Sequence, residues 1–127
     1  MKNTPSAEQA LLFDQYVDKW QILLSLGDWR IEKGQKPAKN AMASVEFNDA
    51  ARLAVYRLGD WGAEPITPDS LEKTALHELL HVLLHDLIAA ASDPRTASEH
   101  MDATEHRVIN VLERALTRSS NAQSITD

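Results

Sequence analysis

His77-Glu78-Leu79-Leu80-His81 places two imidazoles and one carboxylate within a single helical turn and a half. On a helix, residues four apart lie about 40° apart, so both imidazoles can reach one ion. Glu78 points about 100° away from His77. It is badly placed to be a third ligand and well placed to touch a water on that ion. The chemistry that fits is metal-assisted hydrolysis, with His77 and His81 as zinc ligands and Glu78 as general base. The flanking sequence sharpens this. From Ala75 to Ala91 the only polar residues are His77, Glu78, His81, His85 and Asp86. A helix so apolar is expected to be buried. Burying imidazoles and a carboxylate costs on the order of several kcal/mol unless each finds a partner, and a metal ion would satisfy all of them.

A catalytic zinc needs a third protein ligand and one open position. His85 lies one turn beyond His81, but on an unbroken helix it is about 12 Å from His77 along the axis and rotated by about 80°. It reads as a supporting or core histidine. The remaining candidates are His100, Glu105 and His106. The apolar residues Met101, Val108, Ile109, Leu112 and Leu116 fall within about 60° of Glu105 on a helical wheel. His106 is on the flank of that stripe and His100 is nearly opposite. A carboxylate centred on a core-facing stripe needs a cation, so Glu105 is the expected third metal ligand.

These residues need elements to hold them. The chain of 127 residues suits a single domain with one core. A net charge of −6 argues against a binder of phosphate backbones, and no nucleic acid partner is expected. Zero cysteines exclude disulfides and thiolate metal sites. The start Met1-Lys2-Asn3-Thr4-Pro5-Ser6 lacks the apolar run of a signal peptide, and Ala75–Ala91 is too short and too charged to span a bilayer. The expectation is a soluble cytoplasmic protein without a membrane partner.

Ser6 and Gln9 form a capping box for a first helix carrying Leu12, Phe13, Tyr16, Trp20, Leu23 and Leu24, with Gly27 as its stop. Residues 28–33, 41–48 and 52–58 alternate and read as three short strands in an antiparallel meander. Thr67-Pro68-Asp69-Ser70 starts a long helix that Ser92-Asp93-Pro94 ends. A last helix spans about 96–117, and the polar tail 118–127 is expected to be disordered. The fold class is α+β: helix, short sheet, motif-bearing helix, helix.

With His77-Glu78-Leu79-Leu80-His81 on one helix and Glu105 on the next, the chain resembles the gluzincin pattern of zinc metallopeptidases. In its order of elements it is similar to small phage- or prophage-encoded minimal zincins. The resemblance implies a peptidase in which His77, His81 and Glu105 hold Zn²⁺. Glu78 would pass a proton from an activated water to the leaving amine of a peptide or protein substrate. Tyr56, His100, His106 and Arg107 are all candidates for the oxyanion donor. The substrate would add along a sheet edge, expected at 41–48.

Three other readings fit parts of the sequence. A zinc-stabilised binding module would keep the metal but would not need Glu78. A di-iron protein matches Glu78-x-x-His81 but requires a second such unit. A helical protein without metal would treat Trp20, Trp29 and Trp61 as packing.

Overall fold

A computed structural model describes residues 2–126, with side chains through Thr117. The expected disordered tail over 118–127 lies outside the residues described in full. The order is α1 (Ala7–Leu23), β1 (Arg30–Lys33), β2 (Ala43–Asn48), β3 (Leu53–Leu58), α2 (Pro68–Ser92) and α3 (Ser98–Thr126).

The helix starts follow local chemistry. Ser6 Oγ accepts from the Gln9 amide at 3.2 Å, and Gln9 Oε1 accepts from the Ser6 amide at 2.8 Å. Thr67 and Ser70 make the same reciprocal cap at the head of α2, with Pro68 in the first turn. Each cap satisfies amides that the helix leaves open and is worth about 1 kcal/mol. The end of α1 departs from expectation. Gly27 is not the stop: the helix ends at Leu23 and Ser25 takes the left-handed turn at φ 55°. Leu24 and Leu26 are both buried, and the exposed serine between them lets the chain reverse without withdrawing either from the core.

The sheet is mixed, which corrects the expected antiparallel meander. Its order is β1-β3-β2, with β1 parallel to β3 and β2 antiparallel to it. The connector decides this. After β1 it keeps bonding along β3: Gly34 N donates to Tyr56 O at 2.7 Å and Ala38 N to Leu58 O at 2.9 Å. Only then does it round the end of β3, where Gly59 N donates to Met42 O at 2.8 Å. A Cβ on Gly59 would lie 2.1 Å from Ala41 O, so only glycine lets the two segments cross.

Ala43, Val45 and Phe47 share one face of the sheet, opposite Leu58, Tyr56 and Ala54. That face meets the helices. Phe13 and Val17 of α1, Leu71, Ala75, Leu79 and Val82 of α2, and Ala54 and Tyr56 of β3 form the centre of the core. Each large side chain buried there contributes roughly 1.5–3 kcal/mol. α3 packs through Thr104, Val108, Val111 and Ala115, spaced four, three and four apart as a helix-on-helix seam requires. No helix among the described residues is long and apolar enough to cross a membrane.

Candidate metal-binding groove

His77 and His81 lie on the side of α2 that neither α1 nor the sheet covers. Both are exposed, with ring centroids 5.0 Å apart and planes at 80°. The expectation of buried imidazoles is therefore corrected: the core takes the Leu71–Ala75–Leu79–Val82 side, and the histidines point away from it. Glu78 alone carries the cost of burial. It is 7% exposed, and burial pushes its carboxyl above the ordinary range, with His81 and His77 pulling the other way. Among the described residues no hydrogen bond or ion pair holds that carboxylate. It is not sealed off either, because the only fully enclosed side-chain polar atom left unpartnered among them is Trp61 Nε1.

Glu78 opens on a groove of about 440 Å³. One wall is the start of β2 (Met42, Ala43), a second is the loop after β3 (Trp61, Glu64), and the third is α2 itself (Ser70, Lys73, Thr74, His77). The loop is pinned by Asn3, whose amide donates to Asp60 at 2.7 Å and whose side chain donates to Glu64 O at 3.0 Å. β2 is an edge strand, as expected for 41–48. The groove thus joins a carboxylate, an imidazole and an open strand edge. The sequence signal for its α2 wall is the spacing of Ser70, Lys73, Thr74 and His77, one helical face. Nothing local marked Trp61 as more than packing.

Among the described residues no three His, Asp or Glu side chains converge as ligands of one ion. Glu105 is exposed, and the wheel that centred it on the core face is corrected. Ile109 and Leu116, which defined that face, are 47% and 69% exposed. The true seam runs about 100° to one side, through Thr104. Height along the helices separates Glu105 as well. α2 and α3 run antiparallel: Arg107 Nη2 donates to Asp86 at 2.8 Å, His100 shares a cavity with Ala90, and Val111 shares another with Val82. Glu105 is level with the turn after Asp86, roughly 10 Å beyond His81 along α2.

None of the four oxyanion candidates lines the groove. Tyr56 is buried and donates to Asp14 at 3.0 Å, and its burial and that carboxylate hold its proton well above the usual range. His100 and Arg107 line a different cavity of about 550 Å³ where α2 meets α3. A His106 ring nitrogen is 2.8 Å from Asp102 O. His85 behaves as a satisfied histidine: it stacks on Phe47 at 3.9 Å and contacts Asp49. Comparison of the chain with known protein families, curated proteins and solved structures finds no match to any of them.

Proposed function

We propose that the chain is a zinc-dependent metallopeptidase, with His77 and His81 as metal ligands and Glu78 as general base. The observation that carries this reading is Glu78: a buried, unpaired carboxylate that opens on a groove shared with His77 and the head of an edge strand, one helical turn from the exposed His81. A purely structural helix gains nothing from that burial, which works against folding. The donor set fits zinc in two of three positions, since neutral imidazoles four residues apart are ligands of the right kind and spacing. Glu105 is the proposed third donor on the gluzincin resemblance alone, since in this structure it stands roughly 10 Å beyond His81 along α2. It is an exposed carboxylate with no ion pair among the described residues, on a helix that packs against α2.

When bound, zinc supplies a Lewis acid that polarises a carbonyl and acidifies water. The chain supplies the rest. β2 holds an extended peptide by backbone pairing. Glu78 accepts a proton from the attacking water and delivers it to the leaving nitrogen. Its carboxylate stays open to the groove, where a water can reach it.

Two measurements test the reading. Zinc content and the zinc-induced rise in melting temperature are expected in wild type, lost in His81→Ala and reduced in Glu105→Gln. Hydrolysis of an unfolded protein such as casein is expected to fall by at least about 100-fold in Glu78→Gln with zinc retained. Equal hydrolysis in Glu78→Gln sinks the catalytic role. An unchanged zinc affinity in Glu105→Gln removes that residue from the site.

A further inference from the structure

Strand β2 separates two unlike grooves. On the helix side it borders the groove that holds Glu78, whose strand-side wall is the apolar Met42, Ala43 and Trp61 and whose far wall is the polar face of α2. On the opposite face lies a groove of about 330 Å³, lined by Lys36, Pro37, Lys39, Ser44, Glu46 and Arg57. Ser44 and Arg57 are direct partners across the β2–β3 register, and Arg57 Nη1 donates to Lys36 O at 3.1 Å. The connector therefore lies against this face and carries its lysines there. Glu46 is 3.4 Å from Arg57 and offsets one charge. Lys36 and Lys39 are exposed and make no ion pair among the described residues.

The charge is segregated over the whole chain. Residues 30–58 hold six cations (Arg30, Lys33, Lys36, Lys39, Arg52, Arg57) against three carboxylates (Glu32, Glu46, Asp49), in a chain whose net charge is −6. Arg30, Lys33, Arg52 and Arg57 are ion-paired, so the uncompensated charge on this face is that of Lys36 and Lys39. A cationic surface beside a free strand edge, on an otherwise acidic protein, selects for negative charge in whatever pairs with that edge.

A strand added to β2 sends alternate side chains to opposite faces. One set falls over Ala43, toward Trp61 and Glu78. The other set falls over Ser44, toward Lys36, Lys39 and Arg57. We propose that the segment this protein binds along β2 is an extended peptide in which apolar and acidic residues alternate. For turnover this rests on the peptidase reading; for binding it does not.

The test uses the full chain carrying Glu78→Gln and two short fluorescent peptides, one alternating valine and glutamate, the other valine and lysine. The glutamate peptide is expected to bind about tenfold or more tighter, with the difference shrinking as salt is raised. Lys36→Glu combined with Lys39→Glu is expected to reverse the preference at an unchanged melting temperature, because both lysines are exposed. Methylating alternate amides of the glutamate peptide is expected to weaken binding about tenfold. Equal binding of the two peptides, no binding of either, or indifference to the lysine reversals overturns the proposal. Displacement of the peptide by an equal concentration of oligothymidylate also overturns it, because the basic face would then be reading phosphate. The two readings fail separately. Peptide discrimination with hydrolysis unaffected by Glu78→Gln leaves the surface and removes the enzyme. Glu78-dependent hydrolysis without discrimination does the opposite.

Discussion

Helix α2 carries His77, His81 and His85 in two opposite settings. His85 is half-buried and held by three partners: stacked on Phe47 at 3.9 Å, edge-on to Trp29 at 5.5 Å, and in contact with Asp49. Its neighbour Asp86 accepts from Arg52 and from Arg107, each at 2.8 Å. Arg52 also lies 3.9 Å over the Trp29 ring and pairs with Asp28. It does so from a left-handed backbone position, φ 49°, that costs a non-glycine residue about 1–2 kcal/mol. Two turns earlier, His77 and His81 touch little besides each other. The difference teaches where the fold spends its contacts. The end of α2 fastens the β2–β3 turn, the α1–β1 loop and α3 together. The HExxH stretch is held through Leu79 and the partly buried Leu80, and its two imidazoles stay uncommitted.

The comparison can be broken most forcefully at Asp86. Asp86→Ala leaves Arg52 with Asp28 alone and the half-exposed Arg107 without a partner among the described residues, and is expected to cost about 2 kcal/mol in urea unfolding. A loss below about 0.5 kcal/mol would mean the fastening is not there. His85→Ala is expected to cost about 1–2 kcal/mol, through its aromatic contacts, while leaving zinc binding by calorimetry unchanged. A stable variant that no longer binds zinc would exchange the roles of the two settings. Acid gives a gentler probe. Arg52, then Arg107, hold the Asp86 carboxyl below its usual 3.8, against the opposing effect of burial. The stability this adds is complete above the unfolded value and is lost as pH falls through the folded one. Urea midpoints of wild type should therefore fall more steeply below about pH 4 than those of Asp86→Asn. Parallel slopes would deny the linkage. The smallest effect belongs to the exposed pair. His77→Ala and His81→Ala should change metal-free stability by less than about 0.5 kcal/mol while abolishing the zinc-induced rise in melting temperature. A large loss without metal would show that these imidazoles pack after all.

Much of this was legible in the residues. Ser6 with Gln9, and Thr67 with Pro68 and Ser70, write both helix starts in local chemistry. The alternation of 41–48 and 52–58 marks a hairpin and its inward face. What was not legible depends on partners distant in sequence. Alternation assigns a strand its faces but not its neighbours, so the parallel β1–β3 pairing was hidden in a connector that keeps bonding to β3. α3 offers two adjacent apolar stripes. Hydrophobicity favours the one with Met101, Val108, Ile109, Leu112 and Leu116, which surrounds Glu105 and shares only Val108 with the seam. Packing takes the smaller Thr104, Val108, Val111 and Ala115, which allow close approach to α2. The HExxH pattern itself fixed which side chains share a helical face, but not that the face would be open.

The crossing at Gly59 has a consequence for how the molecule is made. β3 is the central strand, yet it is the last of the three to leave the ribosome. β1 has no partner until residues 53–56 exist, because its register runs from Arg30↔Leu53 to Lys33↔Tyr56. The β2–β3 hairpin closes over the short turn Asp49–Arg52 and needs nothing else in the sheet. Folding is thus expected to begin with the hairpin and to draw β1 in afterwards, as the longer loop closes more slowly. The wall of the groove that carries Ala43 would then be among the first parts of the protein to acquire its shape, ahead of the helix that brings Glu78 to it.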